Sequence, residues 1–422
     1  LANSSLPSHG ICHPLLFFLA QMLTIFQHHS EASSVLRTGF LCPHVNFRIH
    51  PRPRDPAVCF QRRTATLMSA PTSSPSPMLR ILNEKLSKAK EPPTIVTHSG
   101  TFHCDEALAC YMLRLLPGLT SATVKRTRDL KYIYDNSTLK VVVDVGETYD
   151  PSELRFDHHQ RGFKETLDEP GFRKTTLSSA GMVYKHFGRD IIRLTGNNLS
   201  DEDVKRIYTK FYMEFFEEID AIDNGINPFF GDDKARYRYG NTGLSARVMR
   251  LNPNWNDDYD EDDRFADAMR LTGEDFNSML QFYVKTWIPP RTNVYDMVKN
   301  RFEVHSSGEI GFLSERVPWK SHLKNVEYEL RVEKGLKYVV YEDASGWFKV
   351  QAIPKEGLFA YRLKFPVAWR GLCDDKLSSL LSIPDCVFVH GKGFVARNRT
   401  KTGALKMAEK SLQVRDESGG SV

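Results

Sequence analysis

The stretch of sequence that decides the fold is Ile95-Val96-Thr97-His98-Ser99-Gly100-Thr101-Phe102-His103-Cys104-Asp105-Glu106. Its apolar start predicts a short buried strand that breaks at Ser99-Gly100. Apolar side chains then recur at helical spacing from residue 107 and stop at Pro117-Gly118. We therefore expect a strand, a polar loop and a helix. In open α/β sheets, ligands bind beyond the carboxyl end of such a strand.

The loop after this strand carries side chains that bind metal ions, namely His98, His103 and Asp105. Imidazole and carboxylate groups in such close succession suit divalent Mn, Mg or Zn. Cys104 is expected to be a small buried hydrophobe and not a ligand. Glu106 is expected to favour the helix N-terminus through the helix dipole, with a hydrogen bond to metal-bound water as the alternative.

Two later stretches repeat this chemistry. Val141-Val142-Val143-Asp144-Val145-Gly146 is a β-branched strand that ends on a carboxylate, and Phe156-Asp157-His158-His159-Gln160 is a loop with an aspartate and two imidazoles. Each of these could be an ordinary turn or polar loop if it stood alone. Their succession along one chain predicts a metal centre at the edge of a sheet.

Composition narrows the class of protein. The chain has 422 residues, which suggests about two domains, and a hydrophobic content of 41% is enough for real cores. A net charge of +5 permits a nucleic-acid partner without requiring one. The 7 cysteines are scattered without a CxxC pair, so neither a disulfide framework nor a structural zinc site is expected and a reducing compartment is favoured. No apolar run approaches the roughly 18 residues of a membrane helix.

Residues 1–92 are expected to be a disordered leader. The segment is rich in Arg and Ser and poor in acidic residues, which is typical of a mitochondrial transit peptide. An untranslated or disordered leader is an equal alternative, and a secretory signal is less favoured because nothing basic precedes the apolar run 15–26.

The remainder is predicted to be α/β. Residues 93–235 are expected to form a domain with a Rossmann-like parallel sheet, and residues 306–415 a smaller C-terminal α/β domain. A helical connector is predicted between them at 236–305, and a disordered tail at 416–422. In the first domain, strands are predicted at 94–98, 122–127 and 140–145 and helices at 105–116, 178–187 and 202–223. In the second domain, strands are predicted at 328–332, 337–342, 347–353 and 386–390, and a helix at 403–414.

These motifs resemble the four successive motifs of the DHH phosphoesterase superfamily. The matching residues are His98, His103-x-Asp105, Asp144, Asp157-His158-His159, and Asp220 with Asp223. From about Thr94 to Leu412 the chain more closely resembles the melanocyte-proliferating-gene family, through stretches such as Glu218-Ile-Asp220-Ala-Ile-Asp223-Asn-Gly225, Leu244-Ser-Ala-Arg247, Leu251-Asn-Pro-Asn-Trp255-Asn and Trp369-Arg-Gly-Leu372. The resemblance implies a metal-dependent 3′-to-5′ RNA exonuclease of mitochondrion and nucleus, with a cytoplasmic location also open.

Phosphodiester hydrolysis by two metal ions needs a carboxylate that bridges them, held rigidly at a strand end. Asp144 is the candidate for that bridge. One ion is assigned to His98, His103 and Asp144, and the other to Asp105, Asp144, His158 and either Asp220 or Asp223. The resemblance slightly favours Asp223. The catalytic residues are predicted to be Asp144, His159 as a phosphate contact or general acid, and Asp157 as the group that orients the loop or a ligating imidazole.

Two departures from the families bear on the cofactor and on substrate contacts. His103 stands where the superfamily usually has an aspartate, which tilts the expected pair of Mn2+ or Mg2+ ions toward manganese. Cys373 stands where the family carries an arginine, and residues 397–400 stand where it carries a histidine.

Substrate binding is predicted to come mainly from the second domain, closing over the metal ions. The candidate residues are Arg247, Arg362, Arg370, Lys392, Arg397 and Arg399. Gly391 and Gly393 would let backbone N–H groups approach a phosphate, although such a basic run is as often a solvated face. The expected partner is the single-stranded 3′ end of RNA and no membrane, with a homodimer left open. Two alternatives remain: a phosphoesterase of small substrates, such as pyrophosphate or short or cyclic nucleotides, and a non-catalytic RNA-binding protein on the same fold.

Overall fold

The computed structural model describes residues 75–167, 175–196, 198–229, 240–355 and 360–417. The leader predicted at 1–92 falls outside these ranges up to residue 74. Beyond it the structure differs from the prediction, because Pro77–Lys88 forms helix α1. Ser76 caps this helix and Leu82 is fully buried in the first core, so amphipathic packing extends the fold further toward the N-terminus than expected. Among the described residues, no helix combines the length and apolar character needed to cross a bilayer.

The first sheet has the strand order β2-β1-β3-β5-β4. Its strands are β1 (Thr94–Thr97), β2 (Thr123–Arg126), β3 (Lys140–Val143), β4 (Tyr149–Asp150) and β5 (Arg155–Phe156). All pairs are parallel except β4 with β5, which is antiparallel. The three strands predicted for this region are confirmed to within one or two residues, and the parallel sheet is confirmed with them.

Helices cover both faces of this sheet. Alternate strand residues point to opposite faces, so Ile95 and Val141 enter the large core while Val96 and Val142 pack with Ile133 in a small one. The helices of this half are α2 (Cys104–Leu113), α3 (Leu130–Tyr134), α4 (Ser179–Thr195), α5 (Asp201–Phe211), α6 (Glu217–Asp223), α7 (Leu244–Met249) and α8 (Glu261–Phe282). The π-helical turn Tyr212–Phe216 joins α5 to α6, and the π-helical turn Tyr283–Trp287 follows α8.

The second sheet has the order β6-β7-β8-β10-β9. Its strands are β6 (Ile310–Leu313), β7 (Tyr338–Glu342), β8 (Phe348–Ala352), β9 (Cys386–Val389) and β10 (Val395–Asn398). Only β6 and β7 pair in parallel. The helices around it are α9 (Arg291–Lys299), α10 (Arg301–Val304), α11 (Lys320–Glu329), α12 (Asp374–Leu381) and α13 (Lys401–Glu417). The α/β class predicted for this part is therefore observed, with an antiparallel majority.

The strand predicted at 328–332 is wrong. Residue 329 ends α11, and Arg331 has a φ of 50°, which no strand accommodates. The alternation of Tyr328, Leu330 and Val332 suggested a strand, but Leu323 and Val326 bury the apolar stripe of a helix. Strands β6 and β10 were not predicted.

Candidate metal centre

The site lies at the carboxyl ends of three adjacent parallel strands. His98 directly follows β1, Asp144 follows β3, and Asp157 follows β5. Because these strands are neighbours in the sheet, the loops that leave them meet at one edge. The side chain of Asn252 braces the loop after β1, since it accepts from Phe102 N at 2.9 Å and donates to Phe102 O at 2.8 Å.

Asp144 lies at the centre of the site and directs its two carboxylate oxygens at different histidines. Its Oδ2 is 3.3 Å from His98 Nε2, and its Oδ1 is 3.8 Å from His158 Nε2. Asp144 has a φ of 57°, a left-handed conformation that turns the chain sharply at the end of β3. Such strain persists where surrounding structure enforces it, commonly at functional sites. A carboxylate whose oxygens face two histidines in this way could contribute one oxygen to each of two cations.

Three groups of side chains bring potential ligand atoms within 4.8 Å of one another. They are His98, His103, Glu106 and Asp144; Asp144, His158 and His159; and His103, Asp105 and Asp223. The first contains the complete set predicted for one ion and adds Glu106. The predicted second set is divided between the other two groups. We take the residue assignment as a proposal, since it rests on the positions of the donor atoms.

Glu106 lies at the helix N-terminus, as expected, and also faces the metal-ligand cluster. Its Oε1 accepts from His103 N at 2.7 Å, which completes a capping box at the start of α2. The same oxygen lies 3.1 Å from His98 Nε2, so the side chain also faces the metal-ligand cluster. One fully buried carboxylate thus serves both the helix and the cluster.

The structure separates the two aspartates left open as the fourth-motif ligand. Asp223 Oδ2 lies 3.3 Å from His158 Nε2 and shares a ligand group with Asp105. Asp220 points elsewhere: it accepts hydrogen bonds from Ser178 N at 3.0 Å, Ser178 Oγ at 2.7 Å and Tyr212 Oη at 2.8 Å. The three-residue spacing put both on one face, but the π-helical turn before α6 and the cap of α4 give them different partners.

The charges of the site fit cations. Burial and the neighbouring Asp144 raise the pKa of Asp105, and the same two causes raise the pKa of Asp223. Burial opposes protonation of His98, yet hydrogen bonds to Asp144 and Glu106 overcome it and raise the pKa of His98 to about 10. Buried carboxylates that repel one another and hold protons on a histidine are stabilised when a cation replaces those protons.

Buried polar atoms without hydrogen-bond partners provide an independent test of whether these residues suit a bound metal ion. Within the described part of the chain, Asp105 Oδ1 and Glu106 Oε2 are buried carboxylate oxygens that accept no hydrogen bond. His158 Nδ1 is likewise buried without a partner there. A buried acceptor without a donor costs free energy, and metal coordination removes that cost. The imidazole and carboxylate set present here fits Mn2+ or Mg2+, with imidazole favouring the former.

Asp157 orients His159. Its Oδ1 lies 2.8 Å from His159 Nδ1 and accepts from His159 N at 3.0 Å, while its Oδ2 accepts from Glu147 N at 2.6 Å. The hydrogen bond to Asp157 raises the pKa of His159 above its ordinary value. The ring is more than half exposed, so the imidazole faces the opening of the site.

A cleft of about 810 Å³ opens over the cluster. Among the described residues its lining comes only from positions 98–249, and Arg128 is the single Lys or Arg side chain in it. The second domain, which was predicted to close over the metal ions, therefore contributes no described residue to this lining. Both walls belong to the first half of the chain because its own helices α3, α6 and α7 surround the strand ends.

The residues predicted to bind substrate lie outside that lining. Arg247 is on α7, beside the cleft, but pairs with Asp275 at 2.7 Å. In the second half, Arg362 pairs with Glu327 through both terminal nitrogens at 2.7 and 2.6 Å. The others are Arg370, whose Nε donates to Phe365 O; Arg397, which pairs with Asp343; Arg399, which lies over Trp347; and Lys392, beside His390. Their role in substrate binding stays a prediction.

Sequence reasoning missed Arg128 and Ser179. Arg128 follows β2 and its Nη2 is 3.1 Å from His98 Nδ1. Ser179 begins α4, and its side chain and N–H donate to two different site carboxylates. The only sequence signal for Ser179 was its place in the Ser-Ser pair at the start of the helix predicted at 178–187, since serine is a preferred helix cap, and nothing local marked Arg128.

A family model and several related proteins match most of this chain. A family model described as the uncharacterised protein family UPF0160 matches residues 94–412. The human MYG1 exonuclease is 44% identical over 355 residues, which cover 82% of this chain and 92% of the human protein. The MYG1 protein YER156C of Saccharomyces cerevisiae is 39% identical over 340 residues, covering 78% of this chain and 97% of that protein.

A solved structure of an exopolyphosphatase-related protein from Bacteroides fragilis covers 81% of this chain and 97% of its own, at 10% identity and a TM-score of 0.19. That TM-score is too low to indicate a shared fold. The family model and the relatives, by contrast, span most of the chain and confirm the resemblance found in its motifs. The chain therefore belongs to the UPF0160 family, the family of the MYG1 proteins.

Proposed function

We propose that this protein is a divalent-metal-dependent phosphodiester hydrolase that removes nucleotides from the 3′ ends of RNA. The observation that carries the proposal is Asp144, whose two oxygens face His98 and His158 at 3.3 and 3.8 Å. The names of the human and other mammalian relatives, MYG1 exonuclease, support the hydrolase class. RNA as the substrate, the 3′-to-5′ direction and a place in mitochondrion and nucleus are parts of the proposal.

Two cations are proposed to bind between His98, His103, Glu106 and Asp144 on one side and Asp105, Asp144, His158 and Asp223 on the other. Bound there, divalent cations supply a nucleophile at neutral pH and neutralise the charge that develops on phosphoryl oxygens. Asp144 belongs to both groups of ligands and therefore sets their positions relative to each other.

His159 is proposed to act as the general acid. Asp157 fixes Nδ1, which leaves Nε2 to carry a proton toward the leaving oxygen of the scissile bond. The hydrogen bond to Asp157 raises the pKa of His159, which favours the protonated ring, and Asp157 stabilises the charge.

A second candidate, hydrolysis of short substrates such as dinucleotides, is supported by the lining of the cleft. The basic side chains predicted to hold a long RNA already have acidic partners in the second half. Arg362 pairs with Glu327, and Arg397 pairs with Asp343. The described cleft lining comes from the first half alone. A non-catalytic RNA-binding role would not need the convergent ligand set.

The deciding experiment measures hydrolysis of 3′- and 5′-end-labelled RNA, a dinucleotide and pyrophosphate by Mn2+- or Mg2+-loaded protein. Stepwise shortening from the 3′ end, abolished in Asp144→Asn, is expected. Faster cleavage of the dinucleotide than of RNA would favour the second candidate. RNA binding without hydrolysis or metal uptake would contradict both.

A further inference from the structure

Among the described residues, Arg128 is the one arginine that lines the metal-site cleft. Its Nε donates to Ser99 O at 2.9 Å and its Nη2 is 3.1 Å from His98 Nδ1, so the guanidinium is held beside the ligand loop. Within the described part of the chain it pairs with no carboxylate. Arg247, Arg362 and Arg397, in contrast, each pair with an acidic side chain. An exposed guanidinium at the edge of this cleft can form paired hydrogen bonds to a phosphate.

Apolar side chains form a rim around the same cleft. Leu130 and Tyr134, four residues apart on α3, are 60% and 46% exposed, and Ile222 on α6 and Met249 on α7 are 49% and 46% exposed. None of these four side chains belongs to the buried core clusters of the described residues. A charged floor beneath an apolar rim matches a ligand with an anionic group next to a flat apolar one.

Tyr134 is held in place at this rim. Its hydroxyl donates to Gly146 O, and Thr148 Oγ1 is 2.9 Å away. Arg155 lies 4.7 Å from the ring centroid, so one face of the ring is supported by a cation. A rigid aromatic ring with a supported face is a surface on which a nucleobase stacks regardless of its identity.

We propose that Arg128 binds the phosphate next to the scissile bond, while the rim of Leu130, Tyr134, Ile222 and Met249 holds the adjoining nucleoside, so that the first half of the chain selects a nucleotide end over bare polyphosphate. This inference rests on the proposed phosphodiester substrate. It places recognition of the reacting nucleotide beside the metal ions and not in the second half of the chain.

The test uses full-length variants that carry Arg128→Ala, Arg128→Lys or the pair Leu130→Ala with Met249→Ala. Arg270→Ala on the outer face of α8 is the matched control, since Arg270 is exposed and pairs only with nearby Asp267 and Glu274. The substrates are a dinucleotide, the same dinucleotide with an abasic terminal sugar, and tripolyphosphate. Thermal melting confirms that each variant folds.

Wild-type protein is expected to cleave the dinucleotide with a kcat/KM about 5- to 150-fold above that of the abasic compound and of tripolyphosphate, which is the stacking contribution of one base, about 1–3 kcal/mol, converted at 1.4 kcal/mol per tenfold. Arg128→Ala is expected to lower kcat/KM on all three substrates by about 10- to 100-fold, because it removes a charge-assisted contact, with partial recovery in Arg128→Lys. The rim variant is expected to raise KM for the dinucleotide and leave the abasic compound unchanged.

Equal rates for Arg128→Ala and Arg270→Ala would overturn the role of Arg128. Equal wild-type kcat/KM on base-bearing and abasic substrates would overturn the role of the rim. Calorimetric binding of a non-hydrolysable phosphorothioate dinucleotide separates this inference from the proposed function. If wild-type protein hydrolyses no substrate, the proposed function fails, and weaker binding by the Arg128 and rim variants than by Arg270→Ala still supports the inference.

Discussion

Ser179 Oγ donates a hydrogen bond to Asp144 Oδ1 at 3.0 Å, and the same residue donates its N–H to Asp105 Oδ2 at 3.3 Å. The first residue of α4 therefore contacts both a carboxylate at the end of β3 and one on α2. Its helix N-terminus also presents partial positive charge to these anions. The relative positions of two proposed ligands thus depend on where α4 begins.

We expect Ser179→Ala to weaken metal binding by about 10- to 100-fold, the usual cost of removing a hydrogen bond that orients a ligand. Calorimetric titration with Mn2+ measures the change. Ser87→Ala is the control, because Ser87 is exposed and its hydroxyl bonds only to Glu84 O. Unchanged Mn2+ affinity in Ser179→Ala would show that Asp144 is held by other contacts.

Asp220→Asn and Asp223→Asn should differ in metal content. Asp223 shares a ligand group with His103 and Asp105, whereas Asp220 bonds Ser178 and Tyr212. We expect Asp223→Asn to lose one of two bound Mn2+ ions and Asp220→Asn to retain both, measured by metal analysis after gel filtration. The opposite pattern would reassign the fourth-motif ligand.

Gly181→Ala should destabilise the protein although alanine favours helices. An added Cβ would lie 2.4 Å from Asp220 Oδ1 and 2.5 Å from its Oδ2, and Asp220 is fixed by its own hydrogen bonds. Overpacking of this kind costs about 1–3 kcal/mol, more than the roughly 1 kcal/mol gained by replacing glycine in a helix. Urea unfolding of this variant is compared with Gly391→Ala, where a Cβ meets nothing within 4 Å. A net gain in the free energy of unfolding would contradict the prediction.

Asp220 should also make stability depend on pH. Burial raises its pKa from 3.8 to about 7, so between these values the folded protein holds a proton that the unfolded chain has released. The contribution to the free energy of unfolding is therefore largest below pH 4 and declines as pH rises toward 7. We expect Asp220→Asn to remove this dependence of the free energy of unfolding on pH. The contribution removed is up to a few kcal/mol, at about 1.4 kcal/mol per pKa unit.

Urea titrations of both proteins in a chelator, at several pH values from 4 to 8, test the prediction. The quantity of interest is the difference between the wild-type and variant curves, because other groups titrate in both. Parallel curves would mean that Asp220 is ionised in the folded protein throughout this range.

Metal affinity should rise with pH. The pKa of His98 is raised to about 10 in the metal-free protein by Asp144 and Glu106, so a cation must displace its proton at neutral pH. We expect the Mn2+ affinity to increase by up to about tenfold per pH unit between pH 6 and 8 for each proton released. Calorimetry in buffers of different ionisation enthalpy counts those protons. Affinity that does not change with pH would show that His98 binds the ion without losing a proton or does not bind it.

The sequence by itself determined the strands of the first sheet and the residues at their ends. A continuous β-branched run such as 141–143 is typical of a strand that is buried on both faces of a parallel sheet, and the parallel order brings His98, Asp144 and Asp157 to one edge. Local composition was therefore sufficient for the class of fold and for most of the proposed ligands. It was insufficient at 328–332, where a helix end imitated strand alternation.

Only the tertiary structure decided which side-chain contacts connect these loops to one another. The contacts of Ser179 with Asp144 and of Arg128 with His98 span 35 and 30 residues, and no local pattern encodes such a separation. The choice between Asp220 and Asp223 likewise depended on the cap of α4, which takes one carboxylate and leaves the other to the cluster. Periodicity and composition report on neighbours in the chain, whereas the protonation, orientation and partners of a buried charge depend on elements that only packing brings together.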